Sequence, residues 1–393
     1  MNKSSGVRKY GTSVLCIILL WSIALTACGN TPLSPEQAAK PEGNKAPDNQ
    51  TAAKEADVDG DFHKQVKSNR ELTERFVLDK MYGANGVYTN YLDTGETDTV
   101  ATGHEVLSES AGLMLRYDVL MNREDAFQTE WEQALRVFEL PSGFSYRYSP
   151  KQDKKYTINA AVDDLRIIRA LYEAGERFSP DYTKLADAYG KLFSNFNIKG
   201  DRMYDFYDEV YKINNKFVTL CYIDLSTLKR LPIPSEQQAD LIGNMQTIMQ
   251  NGYLSDAFPF YETRYEYDTS SYHSEGINTV ESLLTILALS EAGIQRPESI
   301  AYLKEHVQSG TLYGQYDKKG KAQNEIQSTA IYAIAAMIGS VLGDEDLYKD
   351  SIRQMDKYQV QDQTSPLYGG FGDPATQQAY SFDNLMALLA YAH

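Results

Sequence analysis

The chain has 393 residues with 54 Asp and Glu against 38 Lys and Arg, a formal charge of −16. An acidic surface of that size repels phosphate backbones, which excludes nucleic acid as a partner. The histidines, His63, His104, His273, His306 and His393, nowhere pair at a helical metal-ligand spacing, so a catalytic zinc has no support. A Ca2+ site built from scattered Asp and backbone oxygens stays open, but no metal ligand is assigned and no cofactor is expected.

Lys3, Arg8 and Lys9 precede an apolar run from Val14 to Ala24 that ends in Leu25-Thr26-Ala27-Cys28. The run is short for a membrane span, and the small residue before Cys28 suits a lipoprotein signal peptidase. Residues 1–27 are therefore read as a signal peptide and Cys28 as the lipidation site. The expected location is outside the cytoplasm, on a membrane surface, since each buried methylene of an acyl anchor contributes about 0.8 kcal/mol. Cys16 leaves with the signal, so Cys221 is alone in the mature domain and no disulfide framework forms. Residues 28–59 are rich in Pro, Ala, Asn, Gln, Lys and Glu and poor in large apolar side chains; they read as a flexible linker.

From residue 60 to 393 apolar residues recur at spacings of three and four between short Gly, Pro or Asn-rich breaks. Twelve helices are expected, beginning near Asp61, Glu105, Glu124, Asn159, Pro180, Tyr222, Ser235, Glu275, Pro297, Glu325, Asp344 and Tyr380. Those over Val280 to Glu291, Ile326 to Leu342 and Asp383 to Ala392 carry apolar faces broad enough to pack on more than one side. Alternating strands are confined to short Tyr-rich stretches at Gly86 to Tyr91, Phe144 to Tyr148 and Tyr313 to Tyr316. Twelve helices with little sheet and no fixed-period repeat argue for an all-α closed ring of six helical hairpins rather than a solenoid.

The segment Ser108-Glu109-Ser110-Ala111-Gly112-Leu113-Met114 sets a lone carboxylate at the head of a strongly apolar helix. Crowded by apolar groups, such a carboxyl is raised in pKa and can act as a general acid; exposed in a first turn, it would only cap the helix or answer its dipole. The segment resembles the Ser-Glu-Gly-Gln-Ser-Tyr-Gly-Met pattern of family 8 glycoside hydrolases, the bacterial endoglucanases, chitosanases and xylanases built on an (α/α)6 barrel. The agreement continues without a gap to Ala126-Phe127 and Trp131.

Four further segments match that family in its own order. Asn159-Ala160-Ala161-Val162-Asp163-Asp164-Leu165 is similar to its Asp-Ala-Asp-Leu-Asp segment, with Val162 and Arg166 where it has the outer acids. Tyr267-Asp268 is similar to its Tyr-Asp-Ala-x-Arg, with Ser271 in place of the Arg. Tyr313-Gly314-Gln315-Tyr316-Asp317, and Tyr368-Gly369-Gly370 with Asp383-Asn384-Leu385, resemble its closing motifs. The resemblance implies a toroid with a few short β-hairpins at the groove, Glu109 as general acid and Asp268 as general base in an inverting mechanism. It also implies that Asp164 binds sugar at the cleavage site. Sugar contacts are further expected from Tyr146, Tyr267, Tyr272 and Trp131. Glycosidic hydrolysis needs two such carboxyl groups, about 6.5–9.5 Å apart when water attacks directly. Glu262, Glu266 and Glu275 are alternative acids.

Together these readings describe a lipid-anchored endo-acting glycoside hydrolase of a β-linked extracellular polysaccharide, with exopolysaccharide synthesis machinery as a further candidate partner. A polysaccharide-binding lipoprotein that has lost catalysis is the competing reading, favoured by Ser271 and Val162.

Overall fold

The computed structural model describes residues 49–97 and 99–393. Twelve helices form among them: α1 (Asn49–Phe76), α2 (Ser108–Leu120), α3 (Glu124–Phe138), α4 (Ala161–Arg177), α5 (Pro180–Asn197), α6 (Leu225–Leu228), α7 (Ser235–Asn251), α8 (Thr279–Glu291), α9 (Pro297–Ser309), α10 (Thr329–Leu342), α11 (Glu345–Asp356) and α12 (Ser381–Ala392). A 3-10 turn, Leu220–Tyr222, precedes α6.

Two burial patterns separate these helices into two rings. Along α10 every residue from Thr329 to Gly339 is buried, and α2 is buried without a break from Ser108 to Leu115. In α3 only Phe127, Glu130, Trp131, Ala134, Val137 and Phe138 are buried, the single stripe of a helix with one face to water. The inner ring runs from α2 to α4, then to the 3-10 turn with α6, then α8, α10 and α12, which packs back on α2. Outside it, α3 lies on α2, α5 on α4, α7 on α6, α11 on α10 and α1 on α12, with α9 between α11 and the strand Phe258–Tyr261. Five hairpins are sequential and the sixth joins the two ends of the described chain. The all-α (α/α)6 barrel expected from the periodicity is thus formed.

Strands feed the inner helices at one end of the barrel. Val106–Leu107 pairs with Arg147–Ser149 and runs straight into α2, and Ile277–Asn278 pairs with Gln315–Tyr316 and runs into α8. Phe217–Thr219, which leads into the 3-10 turn, pairs with Arg264–Glu266, itself paired with Ser271–His273. These connections bring several inner-helix N-termini, and the residues on their first turns, to one rim.

The expected helix starts fall within three residues of those observed except at three places, one of them the helix expected near Glu275, which begins at Thr279 after the Asn278 side chain caps it. The first helix begins at Asn49 rather than near Asp61, so residues 49–59 of the expected linker are helical; Ala52, Ala53, Lys54, Glu55 and Ala56 are good helix formers. The helix expected from Glu325 begins at Thr329, because the Ser328 hydroxyl accepts from the Ile331 N–H and fixes the start there. Cys28 and the signal peptide lie outside the described residues.

Candidate active site

Glu109 stands in the first turn of α2 and is 1% exposed. Leu107, still extended at φ −120°, delivers the chain from strand to helix with no side-chain cap. Glu109 therefore serves neither as a cap nor as a solvated dipole partner. Its Oε2 accepts from Arg166 Nη1 at 3.1 Å, and the same nitrogen donates to Asp163 Oδ1 at 2.8 Å. Ser108 Oγ donates to the other oxygen of Asp163 at 3.1 Å. Burial pushes the Glu109 carboxyl up to about 8, with Arg166 opposing and the Asp163 charge adding to the rise. Asp163 is raised by the same burial, against the pull of Arg166 and the Ser108 bond. A carboxyl that keeps its proton at neutral pH, in a site stripped of bulk water, is equipped to donate one.

The rim holds further acids. Asp205 is buried, accepts from Thr219 N at 2.8 Å and Thr219 Oγ1 at 2.6 Å, and is pushed up to about 7 by desolvation. Asp383 in the first turn of α12 accepts from Ala330 N at 2.9 Å and is raised by burial to about 6. Glu281 in the first turn of α8 is raised by burial against a bond from Thr263. Tyr222 and Cys221, on the 3-10 turn, lie within the fields of Asp205 and Arg166. Below the rim a cavity of about 90 Å3 runs down the barrel axis, with Arg166, Cys221 and Tyr222 among its lining. Toward its far end the Arg169 guanidinium holds Glu291 at 2.7 Å and Glu173 at 2.9 Å.

No family model and no curated protein matches the chain. Among solved structures it is similar to an α-amylase from Clostridium perfringens, at 32% identity and a TM-score of 0.76, over 82% of this chain and 97% of that one. The chain belongs to the same family as that protein, and its fold is that of the family 8 glycoside hydrolases. Its fold is shared by PssZ from Listeria monocytogenes, at 21% identity and a TM-score of 0.63 over 81% of this chain and 93% of that one. It is shared too by endoglucanase Cel10, a family 8 glycosyl hydrolase from Klebsiella pneumoniae, at 17% identity and a TM-score of 0.54 over 72% and 97%.

Of the residues matched to the family's motifs, Glu109 lies in the rim cluster and Asp268 on the tip of the hairpin between Arg264–Glu266 and Ser271–His273. There the Asp268 side chain is 64% exposed and pairs with Lys216 at 2.6 Å; none of the described contacts joins it to the Glu109 cluster. Asp164 does not face a sugar: it is 1% exposed, accepting from Phe144 N at 3.3 Å and Asn159 Nδ2 at 2.8 Å. It ties the hairpin before α4 to the helix. Gly143, at φ +148°, leaves room for it, since a Cβ there would stand 2.3 Å from Asp164 Oδ2.

Trp131 is on an outer helix, 5% exposed, its ring edge-on to Phe144 and Tyr189, so it is core and not a sugar platform. Tyr267 is likewise buried, with its hydroxyl donated to the Met203 carbonyl at 2.5 Å. Tyr272 gives its hydroxyl to Ile248 O at 2.7 Å and packs on Tyr265. Tyr146 is half-buried beside Tyr156, at 5.5 Å between ring centroids. Of the alternative acids, Glu262 pairs with Lys318 at 2.9 Å and Glu266 with Arg264 at 2.7 Å. Sequence reasoning passed over Arg166 as the partner of Glu109, and Asp205 and Glu281 altogether. The signal for Glu281 was present as an acid continuing the apolar stripe of α8.

Proposed function

We propose that the chain hydrolyses internal glycosidic bonds of an extracellular polysaccharide, with Glu109 donating the proton to the leaving oxygen. The observation that carries this reading is the buried carboxyl of Glu109, raised toward neutrality on the rim of an (α/α)6 barrel and held by a single guanidinium. Protonated, it can assist departure of a sugar hydroxyl; ionised after donation, it is stabilised by Arg166. A second carboxylate activating water on the opposite face would complete an inverting displacement. The lipobox at Cys28 supports a domain tethered to the outer face of a membrane, acting on polymer near the cell surface.

Two readings of the linkage follow. The motif resemblance favours a β-linked chain such as an exopolysaccharide. The 32% identity to a protein described as an α-amylase, over 97% of its length, favours an α-linked glucan and puts starch first among the substrates to try. The test is release of reducing ends by the domain from residue 49 onward on starch, β-glucan, xylan, chitosan and a bacterial exopolysaccharide, beside Glu109→Gln. Release that falls about 100-fold or more in the variant, with binding retained, supports hydrolysis. Binding to one polymer without release from any would establish the non-catalytic lipoprotein instead.

A further inference from the structure

Resting on that hydrolytic reading, the ring order of the inner helices identifies a partner for Glu109. With α2, α4, the 3-10 turn and α6, α8, α10 and α12 closing in sequence, the element facing α2 across the axis is α8. The axial cavity is lined by Gly112 and Leu113 from α2 and by Leu284, Ala288 and Glu291 from α8. Stepping back along each stripe by three or four residues reaches Glu109 on α2 and Glu281 on α8, both in the first turn and both at the strand-fed end. Helices packed side by side at about 8–10 Å put facing axes of a six-membered ring roughly 16–20 Å apart. Subtracting the Cα radius of about 2.3 Å on each side, and about 3–4 Å for each glutamate side chain, leaves on the order of 3–9 Å between the carboxyl groups. That overlaps the span within which two carboxyls act on one glycosidic bond.

A second observation sets Glu281 near a residue of that cavity. Cys221, which lines it, lies within the fields of both Glu281 and Arg166, the guanidinium bonded to Glu109.

The other rim acids have hydrogen-bond partners of their own and none lies on α8. Asp163 is held by Ser108 and Arg166, Asp164 by Phe144 N and Asn159, and Asp205 by both donors of Thr219. Asp383 caps α10 at Ala330 N from α12, a helix adjacent to α2 rather than facing it. Glu281 takes a bond from the Thr263 side chain, on the loop between Phe258–Tyr261 and Arg264–Glu266.

We propose that Glu281 is the general base of the hydrolysis, in place of the hairpin-tip Asp268. Its ionised carboxylate takes one proton from the attacking water. The water oxygen bonds to the anomeric carbon, the glycosidic C–O bond breaks, and Glu109 delivers its proton to the departing oxygen, so that one water is consumed per bond. The bond from the Thr263 side chain favours the ionised form of that carboxyl.

The test compares wild type, Glu109→Gln, Glu281→Gln and Asp268→Asn on whichever polymer the wild type cleaves, reading kcat, KM, pH profile and thermal unfolding. Expected are a fall in kcat of about 1,000-fold for Glu281→Gln with KM within about threefold, and loss of the acid limb of the pH profile. Asp268→Asn should stay within about twofold of wild type. Glu281→Ala should regain part of its turnover with sodium azide, a small anion entering the vacated space, which a folding defect would not do. A folded Glu281→Gln retaining more than a tenth of wild-type kcat, or a Glu281→Ala that azide leaves unchanged, overturns the assignment. So does a large loss in Asp268→Asn alone. An inactive wild type overturns the hydrolytic reading itself, and is told apart because Glu281 variants then differ from it in nothing.

Discussion

Replacing Arg166 with Met tests the electrostatic reading of the site most directly. One guanidinium nitrogen stands 3.1 Å from Glu109 and 2.8 Å from Asp163, and the Arg166 side chain is only 18% exposed. At an effective dielectric constant of about 20, charges about 4 Å apart interact by roughly 4 kcal/mol, equivalent to about three pK units. Removing Arg166 takes away the influence that lowers Glu109 and leaves the two that raise it, burial and Asp163. The Glu109 carboxyl should therefore keep its proton to still higher pH. In a profile of kcat/KM from pH 4 to 10, the alkaline limb should move up by at least about one unit, since Asp163 can relieve part of the repulsion by protonating. Loss of orientation should also lower kcat by about tenfold.

Stability follows the same sign. Both carboxyls are raised in the folded state, so it binds more protons than the unfolded chain above pH of about 4.5, and stability falls as pH rises toward the folded values. The Arg166→Met variant should extend that window upward, losing more stability at pH 9 than at pH 5 by thermal unfolding. An alkaline limb that stays put or moves down, or a stability loss equal at both pH values, refutes the reasoning.

Other perturbations test the parts that hold the rim. Arg147 and Glu105 are both 0% exposed and joined by bonds of 2.7 and 2.8 Å, so Arg147→Met should cost about 3–5 kcal/mol in urea unfolding. Adding Glu105→Gln should recover part of that loss. Gly143→Ala forces a residue with φ +148° and drives a Cβ against Asp164; a loss of at least about 1–3 kcal/mol is expected, together with lower activity at unchanged KM. Trp131→Ala should cost about 3–5 kcal/mol in stability while leaving polysaccharide affinity unaltered by calorimetry, because Trp131 packs on Phe144 and Tyr189 rather than facing the groove.

Much of the toroid was legible in the sequence because its signal is local. Continuous apolar runs such as Ile331 to Ile338 belong to inner helices buried on every side, whereas the interrupted stripe of α3 belongs to the outer ring. Glu109 was legible for the same reason, as an acid heading an apolar helix. The aromatic platforms were not: whether Trp131 or Tyr267 faces sugar or core depends on which neighbours close over it, and those come from other hairpins. Asp268 was matched by residue type in its Tyr-Asp dipeptide, and neighbouring positions could not show that a β-hairpin carries it outward to Lys216.

The sequence by itself determined the helices, most of their starts to within three residues, the acidic character and the candidate acid, since periodicity, capping residues and charge are properties of neighbouring positions. Only the tertiary structure decided what surrounds that acid. Arg166 reaches Glu109 from 57 positions away, and the helix that carries Glu281 faces α2 only once six hairpins have closed into a ring. A carboxyl's chemistry is set by the charges and the water around it, and those are fixed by packing between elements distant in the chain.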